Sequence, residues 1–232
     1  MIPFIIIYCL FLVVYFFTRP GHDIADKTTK KKLWIRAINK YIMATMYMVY
    51  AIVTYVVKGY QFVSADLIFL IALFFAYLGD IFLVFDLNRG GDYFLAGNFI
   101  FAIYYFTLFV DSGLKFTNFY WILLIWAFML GSFIFASNKW PKVFKLGKMK
   151  MPMTFYLSSI MLHGACGIGS IILLPSARTL VLGIGSVMFM IMISDFILTV
   201  DKFVIKNNKW IVRANSFFYF IGLLLIALSI AL

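Results

Sequence analysis

The fold of this chain is decided by the stretch Gly79-Asp80-Ile81-Phe82-Leu83-Val84-Phe85-Asp86, which has a second copy at Ser194-Asp195-Phe196-Ile197-Leu198-Thr199-Val200-Asp201. Each copy contains a small residue, an Asp, two apolar residues, Leu, two further residues and a closing Asp. The leading Asp of each copy lies inside an apolar run long enough to cross a bilayer. Because a carboxylate in hydrocarbon is costly, such residues usually mark functional sites. Asp80 and Asp195 are therefore the first candidate site residues.

The composition indicates an integral, multi-pass membrane protein of the all-α class. The chain is 65% hydrophobic, whereas soluble domains are typically about 45–50% apolar. Its two cysteines, Cys9 and Cys166, lie in apolar runs and indicate packing, with no disulfide, metal site or other cofactor expected. The net charge of +11 does not predict a nucleic-acid partner, because the basic residues flank the apolar runs. That distribution indicates topology and contact with anionic membrane lipids.

The apolar runs predict eight transmembrane helices, approximately over 2–17, 41–57, 67–85, 93–110, 116–136, 152–174, 179–200 and 211–232,. The odd-numbered loops hold 17 of the 20 Lys and Arg residues, and the other loops hold 3. By the positive-inside rule, the odd-numbered loops are cytoplasmic and both termini lie on the opposite side. The membrane is the plasma membrane or the endoplasmic reticulum, depending on the source.

An internal repeat follows from the two copies. The offset of 115 residues that relates Asp80 to Asp195 also maps Tyr41 onto Tyr156 and Met46 onto Met161. We therefore predict one membrane domain over 1–232, with repeats over 1–112 and 113–232. Two four-helix copies insert in the same orientation, so a site is expected where the halves meet around an axis along the membrane normal.

Four further polar residues are second-rank candidates for orienting water or substrate. Asn98 and Asn215 are predicted at a depth similar to that of the two Asp residues, in the cytoplasmic half of the membrane. His163 lies near the middle of the sixth span, and Tyr105 lies just past the middle of the fourth. A cavity open to the cytoplasmic leaflet would unite them, whereas hydrogen bonding between packed helices is the alternative role for each polar residue.

The absence of common catalytic motifs narrows the classes of reaction that the protein could catalyse. The sequence contains no nucleophile elbow, phosphate-binding loop, HExxH or CxxC pattern,. What remains is acid–base chemistry by paired carboxylates in a dry site, where one Asp stays protonated near neutral pH and the other stays ionised.

The chain resembles the YhhN-like family, the lysoplasmalogenase-type integral membrane proteins. The resemblance rests on these residues: Leu78-Gly79-Asp80, Phe94-Leu95-Ala96-Gly97, Phe101, Met151-Pro152, Tyr156, Gly185-Ser186-Val187-Met188-Phe189-Met190-Ile191-Met192-Ile193-Ser194-Asp195 and Tyr219-Phe220. It implies hydrolysis of the vinyl ether bond of a single-chain lysophospholipid, which yields a fatty aldehyde and a glycerophospho-headgroup compound. Protonation of the vinyl ether needs an acid and a nearby anion, and an Asp pair supplies both without a metal.

Two departures from the family pattern keep other interpretations open. The family typically has a His where this chain has Tyr105, and often a Gln where it has Leu223. If that His is needed for catalysis and His163 of the sixth span does not replace it, the chain is an inactive lipid-binding relative. A proton-coupled transporter is the third interpretation, since repeats that meet at an intramembrane polar site also occur in carriers.

Overall fold

The computed structural model describes residues 2–18, 29–59, 65–83, 87–144, 146–188 and 209–232. Within these ranges the chain forms eight α-helices and one short 3-10 turn, Gly147–Met149. The helices are α1 Ile2–Thr18, α2 Thr29–Val57, α3 Ala65–Phe82, α4 Leu87–Asp111, α5 Phe116–Lys139, α6 Lys150–Leu173, α7 Ala177–Ser186 and α8 Lys209–Ser229. The predicted all-α membrane fold is confirmed.

Five helical segments are long and apolar enough to cross a membrane, by length and composition: Ala37–Val57, Ala65–Phe82, Arg89–Asp111, Phe116–Lys139 and Gly147–Leu173. Two shorter apolar helices, Ile2–Phe17 and Arg213–Ser229, accompany them. The predicted seventh span is described only at its beginning, so the second copy of the opening phrase, with Asp195, lies outside the described residues.

The start of α2 differs from the prediction. This helix begins at Thr29, about three turns before the predicted start at 41. Hydropathy marks only the apolar part of a helix, whereas Lys, Arg, Leu and Ala are all good helix formers and carry the backbone conformation into the basic segment. Lys40, predicted to be a loop charge, is therefore a helical residue.

Glycines set two of the close helix contacts near the polar residues. A Cβ at Gly97 of α4 would lie 3.2 Å from the backbone oxygen of Ala72 in α3. A Cβ at Gly183 of α7 would lie 2.6 Å from the backbone oxygen of Gly167 in α6. Only glycine permits this approach without a backbone shift, so the α6–α7 contact is backbone against backbone.

The first and last helices also meet. The Tyr8 hydroxyl of α1 donates to the Phe220 carbonyl of α8 at 3.1 Å, and the Tyr15 ring packs edge-on against the Phe220 ring. The α2–α8 contact has a counterpart in the α6–α4 contact, as two copies of a four-helix unit would give. The repeats themselves stay a prediction, because most other helix pairs follow one another in sequence.

Candidate functional site

Asp80 lies in the last turn of α3 and is fully buried. Its Oδ1 atom accepts a hydrogen bond from the Tyr219 hydroxyl at 2.6 Å and lies 2.9 Å from Lys40 Nζ. Its Oδ2 atom accepts from the Tyr47 hydroxyl at 3.1 Å. Three donors from α2 and α8 therefore surround one carboxylate of α3, and we call this group the Asp80 cluster.

The helical periodicity of α2 explains how two of the donors reach the same carboxylate. Lys40 and Tyr47 are seven residues apart, which is two turns, so both lie on one face of the helix. The Lys40 side chain is only 11% exposed, although it belongs to a segment rich in basic residues. Lys40 and Tyr47 of α2 therefore contact the Asp80 carboxylate from the same side.

The Asp80 cluster surrounds one carboxyl group with donors and a positive charge. A carboxylate accepts hydrogen bonds and a phenol donates them, and the adjacent ammonium group supplies the opposite charge. Of the roughly four acceptor positions of a carboxylate, three are used by Lys40, Tyr47 and Tyr219. The cluster is thus suited to hold an anion in place and leaves acceptor capacity for about one further donor.

A second group of polar residues links α4, α6 and α7. His163 Nδ1 lies 3.2 Å from Asn98 Oδ1, and His163 Nε2 lies 3.0 Å from Ser186 Oγ. Ser186 Oγ lies 2.7 Å from the Tyr105 hydroxyl, which is also 3.3 Å from the Leu182 carbonyl. We call these four residues, Asn98, His163, Ser186 and Tyr105, the Asn98 chain.

Packing fixes the imidazole of the Asn98 chain. The Phe101 ring stacks on the His163 ring with a centroid distance of 4.5 Å and an interplanar angle of 18°. Both His163 and Ser186 are fully buried, and Asn98 is 1% exposed. The Gly167–Gly183 contact brings α6 and α7 close enough for the imidazole to reach the serine.

A third polar contact lies at the opposite ends of α3, α4 and α7. Arg178 of α7 pairs with Asp66 of α3 and donates to the Tyr104 hydroxyl of α4 at 3.0 Å. Asp66 is 7% exposed and Tyr104 is fully buried. By the predicted topology this contact ties the outer ends of three helices together.

The structure joins three of the predicted residues in one hydrogen-bonded group and gives a fourth, Asp80, a different set of partners. Asn98, Tyr105 and His163 share the Asn98 chain, whereas Asp80 is held by α2 and α8. Asn215 is buried on α8, one turn before Tyr219. Asp195 falls outside the described residues, so its proximity to Asp80 stays a prediction.

Sequence reasoning missed the donors that hold Asp80 and the serine that links His163 to Tyr105. The sequence indicated for Lys40 only the role of a loop charge that sets the topology. That interpretation is wrong, because Lys40 pairs with Asp80. Tyr47 had no distinguishing pattern among 14 tyrosines. Ser186 and Tyr219 occur in the stretches that carry the family resemblance, and that position was the one available signal for them.

These observations define a polytopic α-helical membrane protein with a buried carboxylate cluster at one end of its helices. The chain matches the YhhN family over residues 36–230, and it belongs to that family. The match includes every residue of the Asp80 cluster and of the Asn98 chain. Neither a curated protein nor a solved structure matches the chain.

Proposed function

We propose that this YhhN-family protein is a membrane-embedded hydrolase that cleaves the vinyl ether bond of lysoplasmalogens. The observation that carries the proposal is the Asp80 cluster, in which a fully buried carboxylate is paired with Lys40 and bonded by Tyr47 and Tyr219. A vinyl ether is hydrolysed by protonation of its β-carbon, which creates an oxocarbenium ion. Water attacks this cation and loses a proton, and the hemiacetal that forms breaks its C–O bond to the glycerol unit, which releases the aldehyde and leaves that oxygen as a hydroxyl group. A fixed anion stabilises that cation, as in glycosidases.

The Asp80 cluster also divides the roles of the two carboxyl groups. Asp80 is surrounded by donors and a cation, so it serves as the ionised group that stabilises the oxocarbenium ion or accepts a proton from the attacking water. The proton donor is then Asp195, the equivalent residue of the second copy of the phrase. Water returns the proton that the β-carbon takes, so the reaction needs no metal or other cofactor.

The substrate class follows from the site's position. Asp80 lies near the predicted cytoplasmic end of α3, where a single-chain lipid would place its linkage between an apolar tail and a surface headgroup. The products are a fatty aldehyde and a glycerophospho-headgroup compound. The contact of Arg178 with Asp66 and Tyr104 favours this function over a proton-coupled transporter, since it ties the outer parts of α3, α4 and α7 together.

The test is aldehyde release from a lysoplasmalogen by the purified protein in lipid nanodiscs. In D₂O the aldehyde, trapped as it forms, should carry one deuteron on the carbon next to its carbonyl group. Asp80→Asn and Asp195→Asn should each lower the rate by about 10²–10⁴-fold. The double variant should be little slower than the slower single variant, because members of one catalytic unit are not additive.

The matched control is Asp92→Asn, which neutralises an exposed carboxylate near the same end of α4 and should leave the rate unchanged. Absence of aldehyde from every lysoplasmalogen tested would overturn the hydrolase proposal in favour of an inactive relative or a transporter. Uptake of a solute into sealed liposomes that contain the protein, driven by a proton gradient, would identify the transporter.

A further inference from the structure

We infer that the Asn98 amide is a binding site for a glycerol oxygen of the lipid, and that Tyr105, Ser186 and His163 position it. The inference rests on the proposed function for its substrate class. It goes further by assigning a contact between one side-chain atom of the protein and one part of the lipid.

With Asn98 Oδ1 facing the imidazole, and with the Tyr105 proton on its shorter contact, to Ser186 at 2.7 Å, rather than on the Leu182 carbonyl at 3.3 Å, the hydrogen-bonding capacities give the Asn98 chain one direction. Asn98 Oδ1 only accepts, so the proton on the imidazole lies on His163 Nδ1. His163 Nε2 of the neutral ring then accepts, and Ser186 donates to it at 3.0 Å. Ser186 Oγ in turn accepts from the Tyr105 hydroxyl at 2.7 Å. Each residue therefore donates toward Asn98.

The Asn98 chain ends at the amide N–H group of Asn98, a donor that has no acceptor. Among the buried side chains in the described part of the protein, Asn98 Nδ2 is one of the few polar atoms without a hydrogen-bond partner, on a residue that is 1% exposed. A buried N–H group without a partner costs about as much as a lost hydrogen bond, and such groups call for an explanation. An oxygen acceptor of a bound molecule supplies the missing partner.

The same geometry resembles a nucleophile, a base and an orienting amide, in the order Ser186, His163 and Asn98. The surroundings of the serine favour a positioning role. Its oxygen is fully buried, donates to the imidazole and receives the Tyr105 proton, so its lone pairs face a neighbouring side chain. Ser186 and His163 thus hold the Asn98 carboxamide in one orientation, with its Oδ1 atom engaged and its N–H group presented.

The chemistry of the acceptor is that of a neutral oxygen. An amide N–H group binds an ether or hydroxyl oxygen, whereas the phosphate of the headgroup is an anion that basic residues at the membrane surface attract. In a single-chain ether lipid the neutral oxygens belong to the glycerol unit. Asn98 is predicted in the cytoplasmic half of the membrane, at the depth where that unit lies.

The test uses two lipids that the proposed reaction does not consume. One is a 1-O-alkyl lysophosphocholine, whose saturated ether cannot be protonated at carbon; the other is an alkylphosphocholine, which lacks the glycerol unit. Asn98→Asp replaces the amide N–H group by oxygen at equal size. It should weaken binding of the first lipid to the protein in nanodiscs about tenfold and leave the dissociation constant of the second unchanged.

The positioning residues are tested by kinetics with a lysoplasmalogen. Ser186→Ala and Tyr105→Phe should raise KM about three- to tenfold and leave kcat within twofold, because they loosen a contact made equally in the ground and transition states. Ser186→Ala should add less than twofold to the binding defect of Asn98→Asp, because both changes act through one contact. The control is Ser159→Ala, a buried serine of α6 that bonds only its own helix, at the Tyr156 carbonyl.

The inference would be overturned if Asn98→Asp weakened the binding of both lipids equally, or the binding of neither. Covalent labelling of Ser186 by a fluorophosphonate would also overturn it, by making this serine a nucleophile. Because binding is measured without turnover, a protein that releases no aldehyde but shows the lipid-selective loss would retain the Asn98 site and lose the hydrolase proposal.

Discussion

Lys40 Nζ lies 2.9 Å from Asp80 Oδ1, although the sequence places the lysine among surface charges and the aspartate in an apolar run. The pair joins the extended part of α2 to the last turn of α3. A buried carboxylate of this kind depends on its cation, so the ion pair belongs to the fold as much as to the chemistry.

Removal of the lysine charge should destabilise the protein. Lys40→Met keeps an unbranched side chain that is one heavy atom shorter and leaves the buried Asp80 carboxylate without its cation. The loss of a partner from a buried ion pair typically costs about 3–5 kcal/mol, so we expect a clear fall in the thermal midpoint in detergent. Lys142→Met, at an exposed site, should leave the midpoint within a degree or two.

A double-mutant cycle separates the ion pair from other effects of the lysine substitution. Lys40→Met combined with Asp80→Asn removes both charges and should recover much of the lost stability. A double variant as unstable as the sum of the two single variants would show that the two charges do not stabilise each other.

The two tyrosines of the Asp80 cluster should contribute unequally to activity. Tyr219 donates to Asp80 at 2.6 Å and Tyr47 at 3.1 Å, and a shorter bond to a charged acceptor is the stronger one. A hydrogen bond to a charged group is worth about 1.5–3 kcal/mol. Tyr219→Phe should therefore lower kcat about tenfold or more, and Tyr47→Phe should lower it less.

The measurement is the initial rate of aldehyde release at saturating lysoplasmalogen. Tyr50→Phe serves as the control, because Tyr50 lies on α2 and stacks against Phe4 through its ring. A larger loss with Tyr47→Phe than with Tyr219→Phe would contradict the order of the two bond lengths.

The close contact between α6 and α7 at Gly183 predicts that alanine destabilises the protein there and not at Gly131, where there is open space. Gly183→Ala would place a Cβ 2.6 Å from the Gly167 carbonyl oxygen, so the helices must separate, at a typical cost of about 1–3 kcal/mol. Gly131→Ala on α5 meets open space and should be neutral or stabilising by up to about 1 kcal/mol, because alanine is the better helix former. Thermal unfolding of the two variants measures the difference.

The predicted topology is tested by cysteine accessibility after replacement of Cys9 and Cys166. Cysteines introduced at Asn138 and at Leu232, both exposed, should react with an impermeant maleimide from opposite sides of the membrane. The side from which the cysteine at position 138 reacts should be the cytoplasmic one, because the segment between α5 and α6 is rich in lysine,. Reaction of both sites from one side would show that the number of spans is not eight.

The sequence predicted the helices better than it predicted the partners of the polar residues. Apolar runs of about 20 residues are a strong signal for membrane helices. The bounds of α3, α5 and α6 therefore fall within three residues of the prediction, whereas α4 begins six residues early. Which residue pairs with a buried charge depends on how the helices pack, and the local sequence does not show that packing. Lys40 has the residue type and neighbours of a surface charge, and its burial follows from the way α2 passes over the end of α3.

Ser186 illustrates a second limit. A serine in an apolar helix usually bonds its own backbone, as Ser159 and Ser229 do, and the family resemblance around Ser186 does not show what this serine bonds. Its role depends on the Gly167–Gly183 contact, which sets the distance between two helices. The sequence shows the glycines and the serine but not that they face each other.

The bond between the Tyr8 hydroxyl and the Phe220 carbonyl has a consequence for biogenesis. A chain is synthesised from its N-terminus, and transmembrane helices insert before they associate. Helix α1 is therefore inserted before α8 is synthesised, and Tyr219 arrives with α8, next to Phe220. Until α8 has been inserted, the Asp80 carboxylate lacks the Tyr219 donor, so a nascent chain that stops before α8 holds an incompletely bonded carboxylate in the membrane.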